Sequence, residues 1–288
     1  MKSLEQLLIR IRSGLRARLP RVRGDRPPAR LALRLDDHDA PGPVPSGTMD
    51  ADGWYEAIVA ILEWAGPLPV TVIAHADNPL LPEVVRFCHR LECPVTLRTD
   101  TNGLTVFRAE ELVDAGVDVA LVRLAHPAVT QFAVSALLSA RRSRRAKLGI
   151  ELEIPADSRL KATIAESRGM GVDGVRITAP FDGGPFDGET LTWAEAQPRP
   201  FHRTEGDVFS ALRRMSGDGP GCARERGSCP VGGIRVEILP DRTLRSCPFK
   251  EGPVRLGEAA AAAWSGLERH RAEIRSCGRR CAHPDLLP

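Results

Sequence analysis

From residue 29 to residue 177 the chain alternates six times between a short apolar run and a longer stretch whose apolar side chains recur at helical spacing. The short runs, at residues 29–36, 70–74, 94–99, 117–124, 148–155 and 174–177, are rich in Val, Ile, Leu and Thr and read as strands. Helices are expected between them at residues 53–64, 82–91, 109–114, 129–142 and 161–169, the first capped by Asp52. Parallel strands must be joined by a long crossover, usually a helix, so this order implies βαβ units in a parallel sheet. About six such units make a partial (β/α)6 barrel of TIM-like type.

The pattern breaks near Pro180. Residues 181–204 are rich in Gly, Pro and Asp, as in Phe181-Asp-Gly-Gly-Pro-Phe-Asp-Gly188, and read as a linker. Beyond it, residues 234–239 and 243–247 flank Pro240-Asp241-Arg242, a hairpin signature, and a helix at residues 258–275 leads to a last pair of cysteines. The expected division is a basic amphipathic leader at residues 1–28, the partial barrel at 29–180, the linker at 181–204, and a small cysteine-rich α+β domain at 205–288.

With 288 residues and 42% hydrophobic composition, the chain can bury a full core as one large domain with a smaller appendage. Its 40 Lys and Arg nearly balance 37 Asp and Glu, so the net field gives no reason to expect nucleic acid. The leader is the exception. Lys2 and eight arginines face only Glu5 and Asp25 in the first thirty residues, while Leu4, Leu7, Leu8 and Ile11 recur at helical spacing. That pattern fits a packing helix or one that docks on a membrane surface or a partner. No apolar run reaches about eighteen residues and no signal-peptide core is present, so a cytoplasmic protein without a transmembrane segment is expected.

The chain carries seven cysteines, and in a reducing compartment clustered thiols point to metal or catalysis rather than to disulfides. Five lie in the last quarter. A hairpin can bring Cys229 and Cys247 together, and Cys277-x3-Cys281 lets two sulfurs face one centre. Cys229, Cys247, Cys277 and Cys281, with Cys222 able to replace any one of them, would hold a 4Fe–4S cluster or tetrahedral zinc. Free, partly buried cysteines are the plain alternative. Arginines such as Arg224, Arg245, Arg279 and Arg280 crowd the same region and favour thiolate. Cys88 and Cys93 stand among apolar neighbours and read as core.

Taken in order, these segments resemble the radical SAM family with a SPASM or twitch auxiliary-cluster domain. The likeness in the tail rests on Gly233-Ile-Arg-Val-Glu-Ile-Leu-Pro-Asp-Arg-Thr-Leu-Arg-Ser-Cys247, Arg255-Leu-Gly-Glu258, Trp264 and Cys277-x3-Cys281. Upstream, Met49-Asp-Ala-Asp-Gly-Trp54 looks like the start of the first barrel helix. Ala76-Asp-Asn-Pro-Leu-Leu81 takes the place of the Gly-Gly-Glu-Pro motif, Thr101-Asn-Gly103 matches the Thr-Asn-Gly turn, and Ala115-Gly-Val-Asp-Val119 precedes the strand that usually ends in Ser-Leu-Asp. The resemblance places Ala76, Asp77, Asn78, Pro79, Thr101, Asn102 and Gly103 at the family's S-adenosylmethionine-site positions.

The departures from the family are concentrated where its chemistry starts. Its Cys-x3-Cys-x2-Cys loop should come directly after the first strand, yet Asp36-Asp-His-Asp-Ala-Pro-Gly-Pro-Val-Pro-Ser-Gly-Thr48 holds no cysteine, and none occurs before Cys88. Radical cleavage of S-adenosylmethionine needs an open iron of a three-thiolate cluster, so it is not expected here. The methionine-binding glycines are replaced by Ala76 and Asp77, the acid by Asn78, and Ser-Leu-Asp by Arg123-Leu-Ala125. Charged side chains stand instead on strands or strand ends: Arg34, Asp36, His75, Asp77, Arg98, Arg123, Glu151, Glu153 and Arg176. Either they form an ion-pair network in the space a cluster and cofactor would fill, or they reach solvent at the barrel mouth. His38 beside Asp36, Asp37 and Asp39 reads as a solvated acidic turn rather than a metal site.

The function expected from these residues and this resemblance is that of a degenerate radical SAM/SPASM-like iron–sulfur protein, a non-catalytic or reassigned partner subunit of a true radical SAM enzyme in peptide or natural-product maturation. One alternative is an enzyme that binds S-adenosylmethionine or another small molecule in the barrel for non-radical chemistry. Another is a zinc-stapled interaction scaffold. The expected partner is a protein, either a radical SAM enzyme or a peptide substrate.

Overall fold

The computed structural model describes residues 28, 30–37, 49–155, 160–178, 235–245 and 254–256. Six strands alternate with five helices: β1 (Arg30–Arg34), α1 (Ala51–Ala65), β2 (Val70–Ile73), α2 (Leu81–Arg90), β3 (Val95–Thr99), α3 (Val106–Ala115), β4 (Val119–Arg123), α4 (Pro127–Ser143), β5 (Gly149–Pro155), α5 (Leu160–Gly169) and β6 (Gly174–Thr178). Among the described residues, three short strands come after them, β7 (Arg235–Ile238), β8 (Thr243–Arg245) and β9 (Val254–Arg255). All nine join one sheet in the order β6-β5-β4-β3-β2-β1-β7-β8-β9, parallel from β6 through β7 and antiparallel beyond. The expected α/β class, with its βαβ run, is the class observed.

The period of two along each strand separates two chemistries. Leu31, Leu33, Val70, Val72, Val95, Leu97, Ile150 and Leu152 pack with Trp54, Ile58, Leu62, Val84, Leu112 and Leu137 of the helices in one continuous apolar core. The alternate positions, including Arg34, Arg98, Glu151, Glu153 and Glu237, belong to the face turned away from the helices, and each of these five is buried. Helix ends obey local chemistry. Asp50 rather than the expected Asp52 caps α1, its Oδ1 accepting from the Gly53 amide at 2.8 Å. Helix α3 starts three residues earlier than its apolar period suggests, because the Thr105 hydroxyl accepts from the Arg108 amide. Tyr55 stacks on Phe87 at 4.2 Å between ring centroids and donates to Glu83 at 2.5 Å, locking α1 to α2.

The β7–β8 hairpin stands beside β1, with Leu31 opposite Val236 and Leu33 opposite Ile238 in a parallel register. The strand segment assigned by sequence to the C-terminal unit is thus continuous with the barrel sheet. Its turn is tied down twice: the Pro240 carbonyl accepts from the Met49 amide at 3.1 Å, and Arg242 reaches Glu56 of α1 at 2.7 Å. Among the described residues, no helix is long and apolar enough to cross a membrane.

Candidate functional site at the strand ends

In a parallel sheet with helical crossovers, the loops that leave the C-terminal strand ends converge on one rim, and this is where such folds carry their chemistry. Here the ends of β1, β2 and β3 deliver Asp36 and Asp37, His75 to Pro79, and Asp100 to Gly103. The Oδ2 atom of Asp36 accepts from the His75 amide at 3.0 Å and from Asn78 Nδ2 at 2.8 Å. Asn78 Oδ1 in turn accepts from the Leu80 amide at 3.0 Å, so the amide group is oriented by two fixed contacts. His75 Nδ1 shares a hydrogen with Asp100 Oδ2 at 2.6 Å, and its Nε2 lies 3.5 Å from Asp37 Oδ1. Partial burial disfavours the charged imidazolium, but the hydrogen bond to Asp100 and the fields of Asp36, Asp100 and Asp37 outweigh it and hold the His75 pKa above its ordinary value.

The two loops read as cofactor positions meet in space. Gly103 has φ of +72°, and a Cβ there would fall 2.7 Å from the Asp77 Cβ, so only glycine lets the loop after β3 lie this close to the loop after β2. Arg108 of α3 fastens the β2 loop from the side, its Nε donating to the Ala76 carbonyl at 2.6 Å and its Nη2 donating to the Asn78 carbonyl. Ala76 and Thr101 are buried, whereas Asp77, Pro79, Asn102 and Gly103 are exposed. This rim offers carboxylate, amide and imidazole groups, and the side chains of Asp36, Asp37 and His75 bring one donor atom each within 4.8 Å of one another.

Beneath the rim, the charged strand positions are paired. Glu237 of β7 accepts from Arg34 Nε at 2.8 Å on one oxygen and from Arg245 Nε at 2.6 Å on the other. Glu153 takes a two-point contact from Arg98, with Nε at 2.7 Å, and Glu151 accepts from Arg176 Nε at 2.6 Å. Burial pushes the Arg34 pKa down, and Glu237 opposes that shift. Among the described residues, Arg245 Nη2 is a buried donor without a hydrogen-bond acceptor. Of the two alternatives left open by sequence, the ion-pair network holds for Arg34, Arg98, Glu151, Glu153 and Arg176, while Asp77 and Arg123 at the strand ends face solvent.

Cys88 and Cys93 are free thiols in the apolar core, as their neighbours imply, and Cys93 Sγ donates to the Leu91 carbonyl at 3.7 Å. Cys222, Cys229, Cys247, Cys277 and Cys281 lie outside the described residues, as do His38 and Asp39. Sequence reasoning missed Glu237, Arg245, Asp100 and Arg108 as site residues. Glu237 and Arg245 were legible in part, since each stands at an alternating position of a hairpin strand. Nothing local marks Asp100 or Arg108.

No protein-family profile matches the chain, and no curated protein matches it in sequence. Solved structures do match. SuiB of Streptococcus suis, bound to S-adenosylmethionine, superimposes with a TM-score of 0.58 at 11% identity, over 87% of this chain and 66% of that one. SuiB bound to the precursor peptide SuiA gives 0.59 at 11% identity, over 90% of this chain and 70% of SuiB. A third crystal structure of SuiB gives 0.54 at 9% identity, over 82% and 65%. The chain therefore spans about two thirds of the length of SuiB and shares an α/β fold with it.

Proposed function

We propose that this chain is a degenerate radical SAM/SPASM-like iron–sulfur protein that serves as a non-catalytic or reassigned partner subunit of a true radical SAM enzyme in peptide or natural-product maturation. The observation that carries the reading is the donor set at the rim: oxygen and nitrogen from Asp36, Asp37 and His75. The first cysteine of the sequence, Cys88, is buried in α2. A cluster that cleaves S-adenosylmethionine needs three thiolates at the rim, and these residues do not fit it, so no radical step is assigned to this chain. The Arg–Glu pairs beneath the rim also occupy part of the face on which a cofactor would lie.

The tail carries the metal chemistry in this reading. Cys229, Cys247, Cys277 and Cys281, or a set in which Cys222 replaces one of them, form a thiolate group suited to a 4Fe–4S cluster, which supplies one-electron transfer when bound. The neighbouring arginines favour deprotonated sulfur. A peptide as the shared substrate is suggested by SuiB, which was crystallised with its precursor peptide SuiA.

Anaerobic reconstitution tests the reading directly. Brown protein with about four irons per chain and sulfur-to-iron charge-transfer absorption is expected, with both lost at four of the five positions when Cys222, Cys229, Cys247, Cys277 and Cys281 are changed singly to Ala, and no 5′-deoxyadenosine formed from S-adenosylmethionine under reduction. Production of 5′-deoxyadenosine would overturn the non-catalytic assignment, and a colourless zinc protein would leave only an interaction scaffold.

A further inference from the structure

We propose that Asp36, Asp37 and His75 form a site for a single hard or borderline divalent cation at the rim of the sheet. The partner-subunit reading uses these side chains only as groups that do not fit a thiolate cluster and assigns them no ligand, so the cation site is tested separately from it. Convergence, support and spacing each point to the ion.

Two carboxylates from the end of β1 and one imidazole from the end of β2 bring a ligand atom each to within 4.8 Å of one another. Two oxygens and one imidazole nitrogen suit ions such as Mn2+, Fe2+ or Zn2+ and are a poor match for an iron–sulfur cubane.

Two of the three ligands, His75 and Asp36, are also held from behind. The contact of 2.6 Å between His75 Nδ1 and Asp100 Oδ2 fixes the ring and assigns its proton to that side, which leaves Nε2 as the ligand nitrogen. Asn78, itself held by the Leu80 amide, and the His75 amide together orient Asp36. A carboxylate behind a ligating histidine is the usual way in which a protein fixes the tautomer and raises the basicity of that ligand.

His75 Nε2 and Asp37 Oδ1 are 3.5 Å apart. A charge-assisted hydrogen bond would close to about 2.7–2.9 Å. Two ligands on a common ion with bonds of about 2.0–2.2 Å stand about 3.4 Å apart at a tetrahedral angle. The separation leaves room for an ion shared by the two groups. The site is also open to solvent: the Asp37 side chain is 82% exposed and that of His75 38%. A cation can enter without rearrangement of the core, and three protein ligands leave coordination positions for water, as open metal sites do.

Mn2+ is the probe of choice, because thiolates such as those of the tail select softer metals. Full-length protein stripped with EDTA is titrated with MnCl2 while the electron paramagnetic resonance of free Mn2+ is followed. One Mn2+ per chain is expected, with affinity at least tenfold lower in Asp37→Asn and in His75→Gln. Glu56→Gln, on the exposed face of α1, should leave affinity unchanged. Asp37 is exposed enough that its substitution leaves the fold intact, so the result does not depend on the stability of the His75 variant. The proposal is overturned if the wild-type chain binds no Mn2+ at millimolar concentration, or if Asp37→Asn binds it as tightly as the wild type.

Discussion

Arg98 of β3 and Glu153 of β5 reach each other across the intervening β4, both almost wholly shielded from water, and meet through two contacts. A charge buried this way is tolerable only while its partner is present, since desolvation of one ion is offset by the field of the other. Truncating one partner should therefore be far worse than removing both. Glu153→Ala is expected to lower unfolding free energy by about 3–5 kcal/mol, measured by urea denaturation. The double change Arg98→Met with Glu153→Leu should recover a large part of that loss. Equal destabilisation by the single and double variants would show that the pair is not a coupled unit. The same logic applies with more weight to Glu237, which serves two guanidinium groups at once.

At the level of elements, α2 shows how burial controls reactivity. Cys88 faces the continuous apolar core and has no exposed surface, and burial pushes its thiol above the ordinary value of 9.0; Cys93, just past the end of the helix, is pushed the same way. Above pH 9 the unfolded chain loses protons from these thiols while the folded chain keeps them, so their contribution to stability is full below that value and falls as pH rises beyond it. In the native state Cys88 should react with a thiol reagent only as fast as the barrel opens, and its rate should rise with denaturant in step with global unfolding. Rapid labelling in native buffer, at the rate of an exposed thiol, would contradict the packing of α2. The tail cysteines make this a measurement for mass-spectrometric peptide mapping rather than for total thiol counting.

For the whole molecule, the decisive feature is the edge of β1. Without β7 the strand would present an open row of backbone groups and a buried guanidinium, both hazards for a parallel sheet. The hairpin covers the first by its parallel register with β1 and offsets the second through Glu237, which meets Arg34 across 203 positions of chain. Barrel and hairpin should consequently unfold together. Glu237→Ala is expected to shift the entire transition, by an amount on the order of 3–5 kcal/mol, with circular dichroism and Trp fluorescence remaining coincident. Trp54 in the core of α1 and Trp64 near its end report the barrel. A variant in which fluorescence of the barrel stays unchanged while a separate, earlier transition appears would show that the hairpin is an independent unit.

The alternation of six apolar runs with five amphipathic stretches was enough, by itself, to determine a parallel α/β sheet, because strand and helix periods are local properties of a sequence. The same periodicity put Arg34, Arg98, Glu151, Glu153 and Arg176 on strands, and their cost when buried required partners. Which partners could not be read locally. Strand order decides neighbours, so only the folded sheet brings Glu237 to Arg34, Arg98 to Glu153 and the hairpin to β1. The rim obeys the same rule. Asp36 and His75 were visible as polar strand-end residues, but the support of Asp100 and the clamp of Arg108 depend on which loops leave adjacent strands on the same side. Local chemistry determined the elements; tertiary structure decided the pairings, because a charge or a ligand acts only on what stands within a few ångströms of it.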